Sequence, residues 1–244
     1  MSYPAGAVLL TILAIFVIPG ELTSAVIPYA VAAGVIGGVA MFLLYAALTR
    51  GPMGIVSPIT AVMSGLIPVL VGLVRGEALT ALAILGMVGA AVAVILVSRE
   101  SGHAHERTPA SALLFALSAG IAIGLFLVTI GLSPQSAGIW TATLARWVTT
   151  IGTVVIVALF LKRTPAERFP WGLAIMAGTL DAIANALFQL ATQNGLLSVV
   201  SVIGSLYPAA TVLLARIFLH ERMNAVQVTG VVVAFAAVVA LTLG

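Results

Sequence analysis

Nine apolar stretches follow one another along the chain, at roughly 4–19, 25–48, 53–74, 79–98, 110–131, 138–161, 170–193, 197–219 and 224–243. Most are about twenty residues long, the length a helix needs to cross a hydrocarbon core roughly 30 Å thick. Barrel strands would appear as segments of about ten residues with strict alternation, and that pattern is absent. Helices are then the structure that satisfies the backbone in lipid. The pattern predicts an all-α integral membrane protein of about nine transmembrane helices.

Composition strengthens this reading. Hydrophobic residues make up 62% of the chain and charged residues 7%, against roughly 25% charged in soluble domains. So few charges cannot solvate the surface of a soluble fold. The net charge of +3 and pI near 9.8 fit cytoplasmic loops enriched in Lys and Arg better than nucleic-acid binding, so no nucleic-acid partner is expected. There is no cysteine, which removes disulfides, thiolate nucleophiles and sulfur metal sites. The N-terminus has no basic region before its apolar run, so no cleavable signal peptide is expected.

The longest polar stretch, Ser98 to Pro109, contains Arg99, Glu100, His103, His105, Glu106 and Arg107. It divides the chain into an incomplete N-terminal helical repeat (1–98), a linker (99–109) and a C-terminal helical repeat (110–244), together one membrane unit. A shift of 144 residues superposes 30–100 on 174–244 without gaps, placing Gly34 on Gly178, Gly51 on Gly195, Ser57 on Ser201, Glu77 on Glu221 and Gly86 on Gly230. Equivalent elements are then five helices apart, and an odd number reverses direction through the membrane. The expected architecture is an inverted-repeat bundle, an incomplete 5+5, with substrate bound at the repeat interface. In this register the first-half counterpart of the sixth span would begin before Met1, and the fifth span has no counterpart.

The chain resembles the EamA-type, ten-helix branch of the drug/metabolite transporter superfamily, with its first helix absent. The second half carries Pro208, then His220-Glu221, then Gly230; the first half carries Gly76-Glu77 and Gly86. Tyr45-Ala46-Ala47-Leu48 before Gly51-Pro52 matches the family's aromatic-Ala-Leu ending of a span. Ser64 stands where the first repeat should have its Pro, and His220 where the second should have Gly. The resemblance implies transport or export of amino acids or other small metabolites without ATP. It also implies that the fourth helix of each repeat lines the central cavity, and that the C-terminus is cytoplasmic.

Polar residues inside spans mark the candidate site. Asp181 lies near the middle of the seventh span, where an unpaired carboxylate costs roughly 2.5–3.5 kcal/mol on insertion scales. Asn185 and Gln189 follow at i+4 and i+8, on one slowly drifting face. Substrate or proton contact and interhelical hydrogen bonding are the two readings of that stripe. Arg146 is the one cation deep in a span, at a depth that permits pairing with Asp181, anion binding or snorkelling to an interface. A paired Asp181 would be a poor proton carrier, because a nearby cation favours its charged form. Ser57, Thr60 and Ser64 share their spacing with Ser198, Ser201 and Ser205. Each set lies on one helix face, where it lines a cavity or bonds its own backbone. Tyr207, before Pro208, and Tyr45 are further candidates.

Other features read as structural. Gly34, Gly38, Gly120 and Gly124 form small-xxx-small pairs suited to close helix packing. Trp140 and Trp171 read as interfacial anchors, with Trp147 deeper. Glu77 and Glu221 sit at equivalent span ends. His103, His105 and Glu106 form the nearest approach to a metal site and read as a solvated linker. No phosphate loop, zinc motif or catalytic constellation is present, so no enzyme activity, cofactor or metal is expected. Arg50, Arg99, Arg107, Lys162, Arg163, Arg168, Arg216 and Arg222 fall on one side of nine spans and Arg75 on the other. By charge bias the N-terminus is cytoplasmic and the C-terminus outside, opposite to what the resemblance implies.

The expectation is a secondary transporter or exporter of small metabolites, multi-pass in a bacterial inner membrane, monomeric or homodimeric. It would be driven by a proton gradient, by exchange or by the substrate gradient. The alternatives are a lipid-linked substrate flippase and a non-transporting scaffold or decayed paralogue.

Overall fold

The computed structural model describes residues 2–98, 109–160, 171–218 and 223–244. The linker cluster of histidines, with Lys162, Arg163, Arg168, His220, Glu221 and Arg222, lies outside the described residues. Among the described residues there are ten α-helices and one 3-10 turn, Gln135–Ala137. The helices are α1 (Ser2–Phe16), α2 (Val26–Leu48), α3 (Met53–Val74), α4 (Ala81–Val97), α5 (Ala110–Gly131), α6 (Trp140–Phe160), α7 (Trp171–Asn194), α8 (Leu197–Ser205), α9 (Tyr207–Phe218) and α10 (Ala225–Leu243). Seven segments are long and apolar enough to cross a membrane, with α8 and the start of α9 counted as one; the helix in the first span and α4 are shorter.

Local chemistry sets the boundaries. Pro52, in an extended conformation, separates α2 from α3. Thr80 accepts the Ala83 N–H at the start of α4, and Asn224 forms a reciprocal cap with Gln227 at the start of α10. The eighth span differs from expectation. It breaks at Leu206 into α8 and α9, where Pro208 supplies no N–H to the residue one turn earlier.

The chain forms two compact units. The first comprises Met1–Val39 and Phe126–Asn194, the second Ala40–Leu125 and Gly195–Gly244. In the first, α1 packs on α6 and α7 around Leu10, Ile139, Ala142, Ala145, Ala182 and Ala186. In the second, α4 packs along α10 and α3 along α8, with Ala90, Ala93, Val97, Ala234, Ala237 and Leu241 in the core. Most buried apolar positions are alanine while Leu180, Leu187, Val232 and Phe235 point outward. This is the pattern of helices in lipid, where close packing of small residues replaces hydrophobic expulsion from water.

Candidate functional site

Each unit holds a polar cluster at span depth. In the first, Arg146 of α6 pairs with Asp181 of α7 (Nη1 to Oδ2, 2.5 Å). Its Nη2 donates to the Gly178 carbonyl at 2.9 Å, and its guanidinium lies over the Tyr3 ring of α1, 4.9 Å from the centroid. Gly6 makes room for it, since a Cβ there would fall 3.1 Å from Nε and 2.6 Å from the Gly178 oxygen. Arg146 is thus held in the pair and does not extend to an interface. The two partners differ in environment: the Arg146 side chain is 10% exposed and that of Asp181 57%. The cation is buried among dedicated partners, and the carboxylate stays accessible.

The stripe that begins at Asp181 turns inward along α7. Asn185 donates to the Asp181 backbone carbonyl at 2.8 Å. Gln189 is fully buried; it accepts the Ala142 N–H at 2.8 Å and donates to Ser133 Oγ at 3.1 Å. Ala142 lies in the first turn of α6, where backbone N–H groups lack helical partners, so Gln189 caps that helix from its neighbour. Steps of four residues drift about 40° each on a 3.6-residue helix, which carries Asp181 outside and Gln189 into the core. Trp147 donates to Thr11 of α1 at 2.9 Å, and Trp140 to the Gly20 carbonyl at 3.3 Å.

In the second unit the hydroxyl residues lie along α3 and α8. Thr60 Oγ1 donates to backbone carbonyls of its own helix, at 2.9 Å to Ser57 and 3.0 Å to Val56. A threonine has one hydroxyl proton, so the Tyr207 hydroxyl, 3.1 Å away, is the donor between them. Ser64 and Ser205 donate to carbonyls three residues back, at 2.9 and 2.8 Å. Ser198 and Ser201 are fully buried, and their Oγ atoms have no hydrogen-bond partner. A Cβ on Gly65 would fall 2.9 Å from Ser205 Oγ, and one on Gly72 would meet Ser198 Oγ and Glu77 Oε2. Gly120 and Gly124 of α5 admit α3, their built Cβ atoms falling 2.5 Å from Met63 Cβ and 2.6 Å from Ile67 Cβ. Tyr45 is exposed.

Tyr3 and Ser133 escaped the sequence reading. Tyr3 carries a weak signal: a polar aromatic one turn before a glycine on an apolar helix, a suitable cover for a buried cation. Ser133 carries none, because its bond to Gln189 is a tertiary fact. Among the described residues no group of three or more His, Cys, Asp or Glu is placed to hold a metal.

Comparison with known proteins bears on what these clusters serve. No curated protein matches the chain. A solved structure titled only "Crystal structure of protein" superposes with a TM-score of 0.78 at 15% sequence identity, covering 99% of this chain and 86% of that one. At that identity the likeness shows a shared fold. The model of the EamA-like transporter family matches residues 110–243, just over half of the chain and the part holding α5 to α10. Membrane-length helices, polar residues at their depth and this match together place the chain in the EamA-like transporter family, a branch of the drug/metabolite transporter superfamily.

Proposed function

We propose that the chain is a secondary transporter, an exporter of small metabolites such as amino acids, built from two inverted repeats and working by alternating access in a bacterial inner membrane as a monomer or homodimer. The Arg146–Asp181 pair carries this reading. A carboxylate at span depth that remains 57% exposed, beside a guanidinium that is 10% exposed, leaves an acceptor free for a substrate cation without stranding the buried charge. Asn185 stands one turn along the same face. The Thr60–Tyr207 hydroxyls, with Ser57, Ser64, Ser201 and Ser205, supply neutral polar contacts in the second unit.

Contacts between equivalent positions support the repeat. Gly86 and Gly230 differ by 144 in number, as do Val97 and Leu241. A Cβ on Gly86 would fall 2.8 Å from Leu241 Cγ, and one on Gly230 2.7 Å from Val97 Cγ2. The contact and its exchanged counterpart are both made, as a local two-fold axis between antiparallel α4 and α10 requires. The capping residues Thr80 and Asn224 and the starts of α3 and α8 stand in the same register.

Counterflow in proteoliposomes with a labelled pool of amino acids and small metabolites tests the proposal. Protein-dependent uptake is expected, reduced at least about tenfold in Asp181→Asn after normalisation to folded protein, the size expected when a charged hydrogen-bond partner is lost. Absence of uptake by well-folded wild type would overturn the transporter reading. Equal uptake by the variant would remove Asp181 from the site.

A further inference from the structure

The antiparallel seam between α3 and α8 combines a carboxylate clamped on the start of α8 with two buried hydroxyls, one helical turn apart, that have nothing to bond. α8 begins after Leu196, which offers no side-chain cap. The first N–H groups of a helix need outside partners. Glu77 supplies them: Oε1 accepts the Leu197 N–H at 2.9 Å and Oε2 the Ser198 N–H at 3.1 Å. Both bonds are charge-assisted, and the helix dipole favours an anion at this end.

Glu77 is brought there by the end of α3. Gly76 has φ +87°, a conformation open to glycine without steric cost. Its N–H bonds the Leu73 carbonyl at 3.0 Å, and the Glu77 N–H bonds that of Gly72 at 2.9 Å, which closes the helix and turns Glu77 toward α8. Gly72 lets the clamp approach, because a Cβ there would collide with both Ser198 Oγ and Glu77 Oε2. The Gly76-Glu77 pair thus has a physical role in this chain: the glycine turns and the glutamate clamps.

Behind the clamp, Ser198 and Ser201 bury hydroxyls that bond nothing, a cost that hydration on opening would relieve. α8 is nine residues long, and the break at Leu206 separates it from α9. A short rod, clamped at one end, interrupted at the other and lined by unsatisfied donors, is arranged to come away from α3. Accordingly we infer that the α3–α8 seam is a gate of the transport cycle and that Glu77 is the latch holding it shut. This rests on the transporter reading; Glu77 is a positioning residue that touches no substrate.

The chain's lack of cysteine allows a direct test. Ser201→Cys is introduced alone and with Glu77→Gln, and its labelling rate by N-ethylmaleimide is measured in detergent. Thr141→Cys, at a fully buried position in the other unit, is the control. Labelling of Ser201→Cys is expected to be about tenfold faster with Glu77→Gln, the consequence of losing charged hydrogen bonds, while the control rate stays the same. Equal rates at position 201, or a rise of the same size at both positions, would overturn the latch. Should Glu77→Gln fail to fold, Gly72→Ala replaces it: the added methyl wedges the seam from the α3 side and is expected to accelerate labelling likewise. Labelling is read without substrate, so a labelling difference accompanied by failed counterflow sinks the transporter reading and leaves standing only that Glu77 holds the α3–α8 seam shut.

Discussion

The two compact units handle intramembrane polarity in opposite ways. In the first, strong groups are present and bonded across helices: Arg146 to Asp181, Gly178 and Tyr3, Gln189 to Ala142 and Ser133, and Trp147 to Thr11, with Arg146 Nε and the Thr141 hydroxyl left unpaired. In the second, hydroxyls run along α3 and α8, the Glu77 carboxylate is committed to the start of α8, and the hydroxyls of Ser198 and Ser201 bond nothing. Charge is tolerated where α1, α6 and α7 provide a dedicated cradle, and there polarity acts mainly to fix one arrangement. Neutral hydroxyls tolerate being left without a partner, so the α3–α8 seam retains the capacity to form other bonds.

The sharpest way to break this contrast is to strand the buried cation. Removing one partner of a buried ion pair costs about 3–5 kcal/mol, and the 57% exposure of Asp181 brings the expected loss for Asp181→Asn to about 2 kcal/mol. Arg146→Met combined with Asp181→Asn should recover at least half of that loss. Thermal unfolding in detergent of the two single variants and the double closes the cycle; strictly additive losses would show that the pair is not coupled. Gln189→Leu comes next. It leaves the Ala142 N–H without a partner inside the core, an expected cost of about 1–3 kcal/mol read from the same melts. An unchanged midpoint would mean that α6 does not depend on this cap.

Much of the fold was legible in sequence because its determinants are local. α3 and α5 begin and end where the apolar runs do, at 53–74 and 110–131, since glycine, proline and polar residues end a span wherever they occur. The break at Leu206 was not read. Pro58 and Pro68 lie inside an intact α3 while Pro208 stands just beyond the break, so a proline alone does not decide it. In the candidate site, the depths of Arg146 and Asp181 permitted a pair but did not choose among pairing, anion binding and snorkelling; the choice depended on Tyr3 and Gly6 from a distant helix. Gln189 stood in a polar stripe open to substrate contact or interhelical bonding, because spacing gives a face and not what lies against it; it bonds Ala142 and Ser133. Glu77 stood out through its place in the repeat, yet its role needs α8 alongside α3.

Tyr207→Phe probes the weaker network. It deletes the bond to Thr60 but leaves Thr60 donating to its own backbone, so the expected loss is about 0.5–1.5 kcal/mol. If the hydroxyl also serves substrate, counterflow should fall by more than stability does; a fall in parallel with the folded fraction would assign Tyr207 to structure.

The smallest effect carries the opposite sign. Ser201 buries a hydroxyl that bonds nothing, so Ser201→Ala removes an unmet donor and should leave stability unchanged or raise it by up to about 1 kcal/mol. At Gln189 in the first unit, where the amide is bonded at both atoms, truncation should destabilise instead. A clear loss of stability in Ser201→Ala would mean that the hydroxyl has a partner in the resting protein, and the contrast between a committed unit and an uncommitted seam would fail at its centre. Stability kept while counterflow drops would mean that the spare hydroxyl is used only after the seam opens, which is the behaviour expected of a group reserved for another step of the cycle.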